Sequence, residues 1–210
     1  MPALPRDNRR RLRRRRCGGS AMIELALYFS LAGPLLLGLT NVGIRLGRGI
    51  EAVQVTRDVA HMYALGADFT LPGTQAIAAT LASGFDLGAN GNAVLIFSRL
   101  TKVSQVDCTA AGLPNCPNLD LPVFTQRIVL GNPALRASSY GTPPATYIGT
   151  QGVINSPDYC VQSSLVATGF EAVISLAQDQ VAWLVEGYFS IPDLNPFGAN
   201  SRGVYVRLVF

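Results

Sequence analysis

Only one histidine, His61, and one lysine, Lys102, occur in the 210 residues. The lone imidazole cannot complete a metal-ligand set, and no two of the four cysteines stand in a CxxC pair, so a zinc site is not expected. A single lysine leaves no Lys/Ser pair, no nucleophile elbow is present, and no two carboxylates stand at a spacing useful for acid–base work. The glycines scattered over 84–92 do not make a phosphate-cradling loop. Charge is also sparse, at 14% of residues, and Glu171, Asp179 and Glu186 read as solvent-facing. His61 reads as a contact on a helix surface or between helix and sheet. These absences exclude the familiar catalytic constellations. The expectation is a protein that is not an enzyme, with no cofactor and no metal.

What is present is concentrated near the amino terminus. Eight of the 17 basic residues (Arg6, Arg9, Arg10, Arg11, Arg13, Arg14, Arg15 and Arg16) precede Gly19, with Asp7 the one acid among them. Beyond residue 19 there are 9 basic and 12 acidic side chains, a formal net of −3, so the pI near 9.1 belongs to the arm. A basic arm can bind nucleic acid. This one runs straight into 25 residues, 20–44, in which Glu24 is the single charge. A hydrocarbon core of roughly 30 Å needs about 20 apolar helical residues, so 20–44 is read as a transmembrane helix. Arginines before such a span stay on the cytoplasmic side, which makes the arm a topology signal and places everything after Arg45 across the membrane. No nucleic acid is expected as a partner. Nothing around the arginines follows the fuller twin-arginine pattern, and Cys17 lacks the small and aliphatic residues that precede a lipidated cysteine.

Glu24 is the odd feature, because a charge in a membrane helix costs about 3 kcal/mol by insertion scales and is rare without a partner. It is the fifth residue after Gly19. A basic leader ending in Gly18-Gly19, then Ser20-Ala21-Met22-Ile23, then Glu24 and a hydrophobic helix, resembles the processing site of type IV pilin-like proteins. With Pro34 midway along the helix, the stretch looks most like the TadE/TadG-like minor pilins (pseudopilins) of the tight-adherence (Tad) pilus. The likeness is close over 13–66 and looser beyond, where a strand such as Trp183-Leu184-Val185-Glu186-Gly187-Tyr188-Phe189 is again similar.

The resemblance implies that a prepilin peptidase cuts after Gly19, leaving Ser20 as the new amino terminus. It implies an assembly role for Glu24 and a kink or loosening at Gly33 and Pro34. The partners it implies are the prepilin peptidase, other Tad pilins and pseudopilins, the inner-membrane pilus assembly platform and membrane lipid. The location implied is the bacterial inner membrane, single-pass, with the amino terminus cytoplasmic and the C-terminal domain periplasmic, or extracellular once in a pilus. Two plainer readings compete: an uncleaved signal anchor whose periplasmic domain binds a cell-envelope partner, and a cleaved secretory signal. The second fits poorly, since the apolar core exceeds the usual roughly 7–15 residues and no small-x-small site closes it. A membrane-tethered enzyme is a further reading, and it requires convergent polar groups in a concave site within 131–180.

Beyond the span, residues 45–66 read as an amphipathic continuation of the same helix. Arg45, Arg48, Glu51, Gln54, Asp58 and His61 are its polar positions, and Leu46, Ile50, Val53, Ala60 and Tyr63 supply much of an apolar stripe. Gly66 is a C-terminal stop. The whole helix, 20–65, holds 46 residues, or roughly 70 Å at 1.5 Å per residue. Residues 67–210 follow as one periplasmic or extracellular domain, with a second helix over 74–83 and strands over 93–103, 123–130, 181–191 and 204–210. In the second strand Phe124, Ile128 and Leu130 are placed on one face. Residues 131–179 are long and irregular, either a functional surface or short strands that the pattern does not locate. The fold class expected is α+β, a long N-terminal helix packed on a small antiparallel sheet. Cys108, Cys116 and Cys160 lie in the exported part, where disulfides are permitted. Cys108 and Cys116 bracket a Gly/Pro/Asn loop that a disulfide would close. An odd count leaves one thiol over, or the pairing involves Cys160 instead.

Overall fold

The structure is a computed structural model that describes residues 18–191 and 203–210, and of Gly18, Gly19 and Ser20 the backbone alone. The arginine arm with Cys17, and the 192–202 connection between the last two strands, lie outside the described residues. The chain divides into two compact units, Met1–Leu46 and Gly47–Phe210.

The first unit contributes the apolar part of helix α1, which covers Gly18–Ala64. None of its side chains over 21–46 is buried, and α1 is long and apolar enough to cross a membrane. Pro34 lies inside the helix, where its missing N–H removes one backbone bond. The hydroxyls of this stretch turn inward: Ser30 Oγ donates to the Leu27 carbonyl and Thr40 Oγ1 to the Leu36 carbonyl, both at 2.8 Å. Polar groups satisfied within the helix itself are what a hydrocarbon surrounding requires.

In the second unit α1 becomes a packing element. Ala52, Val55, Thr56, Val59, Ala60 and Tyr63 are buried, a run at three-to-four spacing along one face. Leu46, Ile50 and Val53, expected on that stripe, are instead exposed at 64%, 59% and 47%. The buried arc is rotated roughly a third of a turn from them, at 100° per residue. Small side chains explain the shift, because they let the helix come close to the sheet. A Cβ added to Gly187 would stand 2.5 Å from Thr56 Oγ1. Helix α1 ends in a Schellman motif: Ala67 N–H donates to the Met62 carbonyl and Gly66 N–H to the Tyr63 carbonyl, both at 3.0 Å, with Gly66 at φ 92°.

The sheet is antiparallel, in the order β2-β1-β3-β4, with β1 at Ala93–Lys102, β2 at Pro122–Gly131, β3 at Val181–Ser190 and β4 at Gly203–Val209. One face meets α1 and helix α2, Pro72–Leu81. Leu95 and Phe97 of β1, Ile128 of β2, and Val185 and Phe189 of β3 form the core there with Val59, Tyr63, Phe69 and Phe85. Phe69 stacks on Phe97 at 4.2 Å between centroids, and Phe85 lies 4.6 Å from Phe189. The architecture is α+β, a long helix packed on a four-stranded antiparallel sheet.

The other face is covered too. Residues 132–180 form a layer of short 3₁₀ turns, a short helix and two isolated bridges, Val123↔Val166 and Gln126↔Val153. Tyr140, Ile154, Leu165, Phe170 and Leu176 pack from this layer onto Leu100, Phe124, Ala182 and Leu184. Phe124 is therefore on the opposite face from Ile128 and Leu130, contrary to the alternation expected. The pairing runs Arg99↔Gln126 and then Leu100↔Phe124, so Thr125 is an extra residue that flips what precedes it. Thr125 is held in place: its hydroxyl donates to the Arg99 carbonyl at 3.2 Å, and its own carbonyl accepts from Ile154 N–H at 2.9 Å. Helices α3, Gln105–Ala110, and α4, Ser156–Val161, sit together at one end. Ser104 and Asp107 cap α3 reciprocally, the Ser104 hydroxyl accepting from Asp107 N–H and Asp107 accepting from Ser104 N–H.

Candidate functional site

Three places bear on function: the apolar start of α1, a buried polar network on the second face of the sheet, and a cluster of three cysteines.

The Gly19–Ser20 bond lies in the first turn of α1, where backbone N–H groups lack helical acceptors and the helix opens at least cost. Glu24 stands four residues on, exposed among Met22, Ile23, Leu25, Leu27 and Tyr28. No hydrogen bond or ion pair to Glu24 occurs among the described residues. A Cβ added to Gly33 would meet nothing within 4 Å, so the helix surface is open at that position beside Pro34.

The polar network corrects the sequence reading of Glu186, which is buried at 1% exposure while Glu171 and Asp179 are exposed. The reason is the 132–180 layer, which turns the expected solvent face of β3 into an interior. The Glu186 carboxylate accepts from Tyr205 OH at 2.6 Å, from Ser139 N–H at 2.9 Å and from the Ser138 hydroxyl. Two strands away, Arg127 is equally enclosed. It donates to Ser98 Oγ at 2.9 Å and to the Gly141 carbonyl, and lies 4.5 Å from the Phe124 ring centroid. Burial pulls its guanidinium down to about 10, against the opposing pull of Glu186, so it stays charged at neutral pH. Arg207 on β4 donates to Tyr140 OH, and Arg136 lies 3.9 Å from the Tyr205 ring centroid. The Ser138, Ser139, Tyr140 and Gly141 arms tie the irregular layer to the sheet, while Arg127 to Ser98 and Tyr205 to Glu186 join neighbouring strands. Its chemistry is that of a clamp: both terminal nitrogens of Arg127 donate to groups of the same chain, and its Nε is left without a partner among the described residues.

The third place joins α3, the loop after it and α4. Cys108 and Cys116 are joined in a disulfide with Cα atoms 5.7 Å apart, and Cys160 is a buried free thiol. All three sulfurs lie within 4.8 Å of one another. The disulfide leaves one thiol, so three thiolates for a metal exist only after its reduction. Burial pushes the Cys160 thiol up, the Ser156 hydroxyl opposes this and Asp107 adds to it. Asn118 lashes the loop to α4, donating from Nδ2 to the Tyr159 and Gln162 carbonyls at 2.8 and 2.9 Å.

His61 is exposed on α1, in an open trough with Arg57, Asp58, Ile77, Leu81 and Phe210. Beside the 132–180 layer there is a hollow of about 280 Å³ lined by Arg99, Thr101, Asp107, Thr125, Tyr159 and Asp179. Its polar groups engage each other: Arg99 Nε donates to Thr125 Oγ1 at 3.2 Å and Tyr159 OH to Asp107 Oδ1 at 3.3 Å. It brings together no nucleophile and base among the described residues. Sequence reasoning missed the Glu186 network and the gathering of all three cysteines. A glutamate amid the apolar β3 run and an arginine within β2 were the available signals, since a charge in such a strand has to find partners. Comparison with protein families, with characterised proteins and with solved structures finds no match for this chain.

Proposed function

We propose that the chain is a TadE-like minor pilin, a single-pass protein processed by a prepilin peptidase and used in assembling a Tad-type pilus for surface attachment. The observation that carries this reading is the placement of Glu24. It is the one charge between Ser20 and Ile44, it follows Gly19 by five residues, and it stands exposed with no partner among the described residues. An uncleaved anchor has no use for that spacing or that cost.

The mechanism has two steps. While the arginine arm is attached, its charge holds the helix to the cytoplasmic face, with the α+β domain across the membrane. Cleavage after Gly19 removes eight arginines and creates a positive amino terminus at Ser20. The helix is then free to leave the bilayer sideways into an assembly. There Glu24 pairs with the new amino terminus of a neighbouring subunit, which sets axial register, because leaving one partner of a buried pair alone is strongly destabilising. The exposed apolar side chains of α1 face lipid before assembly and other helices after it.

The test is the mature amino terminus, read by mass spectrometry with and without a prepilin peptidase. A chain beginning at Ser20 only when the peptidase is present supports the reading. A chain that keeps its arginines beside an active peptidase overturns it, and the helix is then a permanent anchor whose function must be sought in the domain. Glu24→Ala is expected to leave membrane insertion intact and to reduce co-assembly with other pilins at least tenfold. Normal entry of that variant into pili removes the role given to Glu24.

A further inference from the structure

We infer that Cys108, Cys116 and Cys160 form a thiol–disulfide exchange site, in which the bond held by Cys108 moves from Cys116 to Cys160 and leaves Cys116 open to modification. The geometry is already assembled, with the Cys160 sulfur within 4.8 Å of both sulfurs of the existing bond. The frame does not depend on which pair is bonded. Asn118 N–H donates to the Cys160 carbonyl at 3.2 Å, Leu113 N–H to the Cys108 carbonyl at 2.9 Å, and the Asn118 side chain holds α4. Backbone bonds therefore keep α3, the loop and α4 in place while a sulfur changes partner.

The step balances without an external oxidant. The Cys160 thiol gives up its proton to water, and its thiolate attacks the Cys108 sulfur. A Cys108–Cys160 bond forms, the Cys108–Cys116 bond breaks, and the Cys116 thiolate leaves and takes up a proton. Cys108 is the sulfur attacked because the departing charge must be solvated. Cys108 is fully buried, whereas Cys116 is half-exposed on its loop. The original bond closes a loop of eight residues' separation. The new one ties α3 to α4, and a half-exposed thiol replaces a buried one. That thiol is open to alkylation, or to a mixed disulfide with an oxidised thiol compound.

The test uses the full chain in detergent micelles, labelled with a maleimide without denaturant and mapped by peptide mass spectrometry. The expected result is slow labelling of Cys116, one label among Cys108, Cys116 and Cys160, accompanied by a Cys108–Cys160 disulfide. The Cys160→Ser variant, unable to attack, should show at least a tenfold drop in Cys116 labelling. The Cys116→Ser variant should oxidise in air to a Cys108–Cys160 disulfide while keeping its far-ultraviolet circular dichroism. Among these three cysteines, labelling confined to Cys160, or no labelling at all, overturns the inference. So does unchanged Cys116 labelling in Cys160→Ser, or a folded Cys116→Ser protein in which Cys108 and Cys160 both stay free thiols in air.

Discussion

Gly187 is where helix α1 comes closest to the sheet, and replacing it with alanine measures how tight that approach is. The added Cβ would stand 2.5 Å from Thr56 Oγ1, 2.8 Å from Phe189 Cε2 and 3.3 Å from Leu95 Cδ2. Comfortable carbon contacts are about 3.5–4.0 Å, so Thr56 has to yield by about an ångström. It cannot do so freely, because its hydroxyl donates to the Ala52 carbonyl at 2.8 Å inside the helix and its side chain is fully buried. Overpacking of this kind costs about 1–3 kcal/mol. Restricting the unfolded chain returns about 0.4–1 kcal/mol. A net loss of about 1–2 kcal/mol, in a unit of this size, lowers the melting temperature by about 2–8 °C. The assay is thermal unfolding of the full chain in detergent, followed by circular dichroism. Two companions sharpen it. Thr56→Ala combined with Gly187→Ala should recover about half the loss, since the worst contact is gone. Gly49→Ala places the same methyl on α1 where nothing lies within 4 Å, and should raise stability by about 0.5–1 kcal/mol. If Gly187→Ala melts at or above the wild-type temperature, the close approach of helix to sheet is refuted.

Two further outcomes are expected from the polar clamp. Glu186→Ala leaves Tyr205 OH, the Ser138 hydroxyl and Ser139 N–H without their acceptor, at a cost of about 1–3 kcal/mol. Chemical denaturation reads that loss, faster proteolysis within 132–180 should accompany it, and a variant within about 0.5 kcal/mol of wild type removes the clamp. Burial, with the hydrogen bond to Glu186, pushes the Tyr205 phenol from 10.0 up to about 12. The folded protein therefore keeps that proton in a window where the unfolded chain has lost it. The stabilisation is complete below pH 10, and is lost as the pH rises from 10 to about 12. Melting temperatures of wild type and Tyr205→Phe should accordingly differ most below pH 10 and converge toward pH 12, and a constant gap across that range refutes the assignment.

The elements with strong local signals were readable from the residues. The apolar run before Arg45, the Gly66 stop and the β-branched strands each carry their instruction within a few positions. What failed depended on distant chain. Of the α1 stripe, Ala60 and Tyr63 are buried as expected, but hydrophobicity alone also selects Leu46, Ile50 and Val53, which are exposed. The face actually used is built on Ala52 and Thr56, whose merit is smallness opposite a glycine more than a hundred residues away. Phe124 was put on the wrong face because one extra residue, Thr125, reverses a period of two, and nothing local to β2 announces it. Glu186 was given to solvent because the 132–180 layer has no periodicity by which its position over the sheet could be inferred. At the candidate site the sequence located Glu24, the Gly19–Ser20 bond and the two cysteines that can close a loop. The arrival of Cys160 beside them comes from α4 packing on α3, a tertiary event.

The order of strands has a consequence in time. Strand β1 is one of the two inner strands of the sheet, and both its neighbours come later in the chain. Ala93 pairs with Phe189, so its second row of hydrogen bonds waits for nearly all the rest of the protein. The buried face of α1 waits as long, since Val185 and Phe189 are part of what it rests on. Until β3 arrives, a growing chain carries a bare helix face and a half-paired strand, the exposed edge that recruits wrong partners. Pairings so distant in sequence also close slowly. The apolar part of α1, long and apolar enough to cross a membrane, has no such wait, because a helix satisfies its own backbone. This apolar stretch, made ahead of every strand, is thus able to be finished at once while the remainder of the protein catches up.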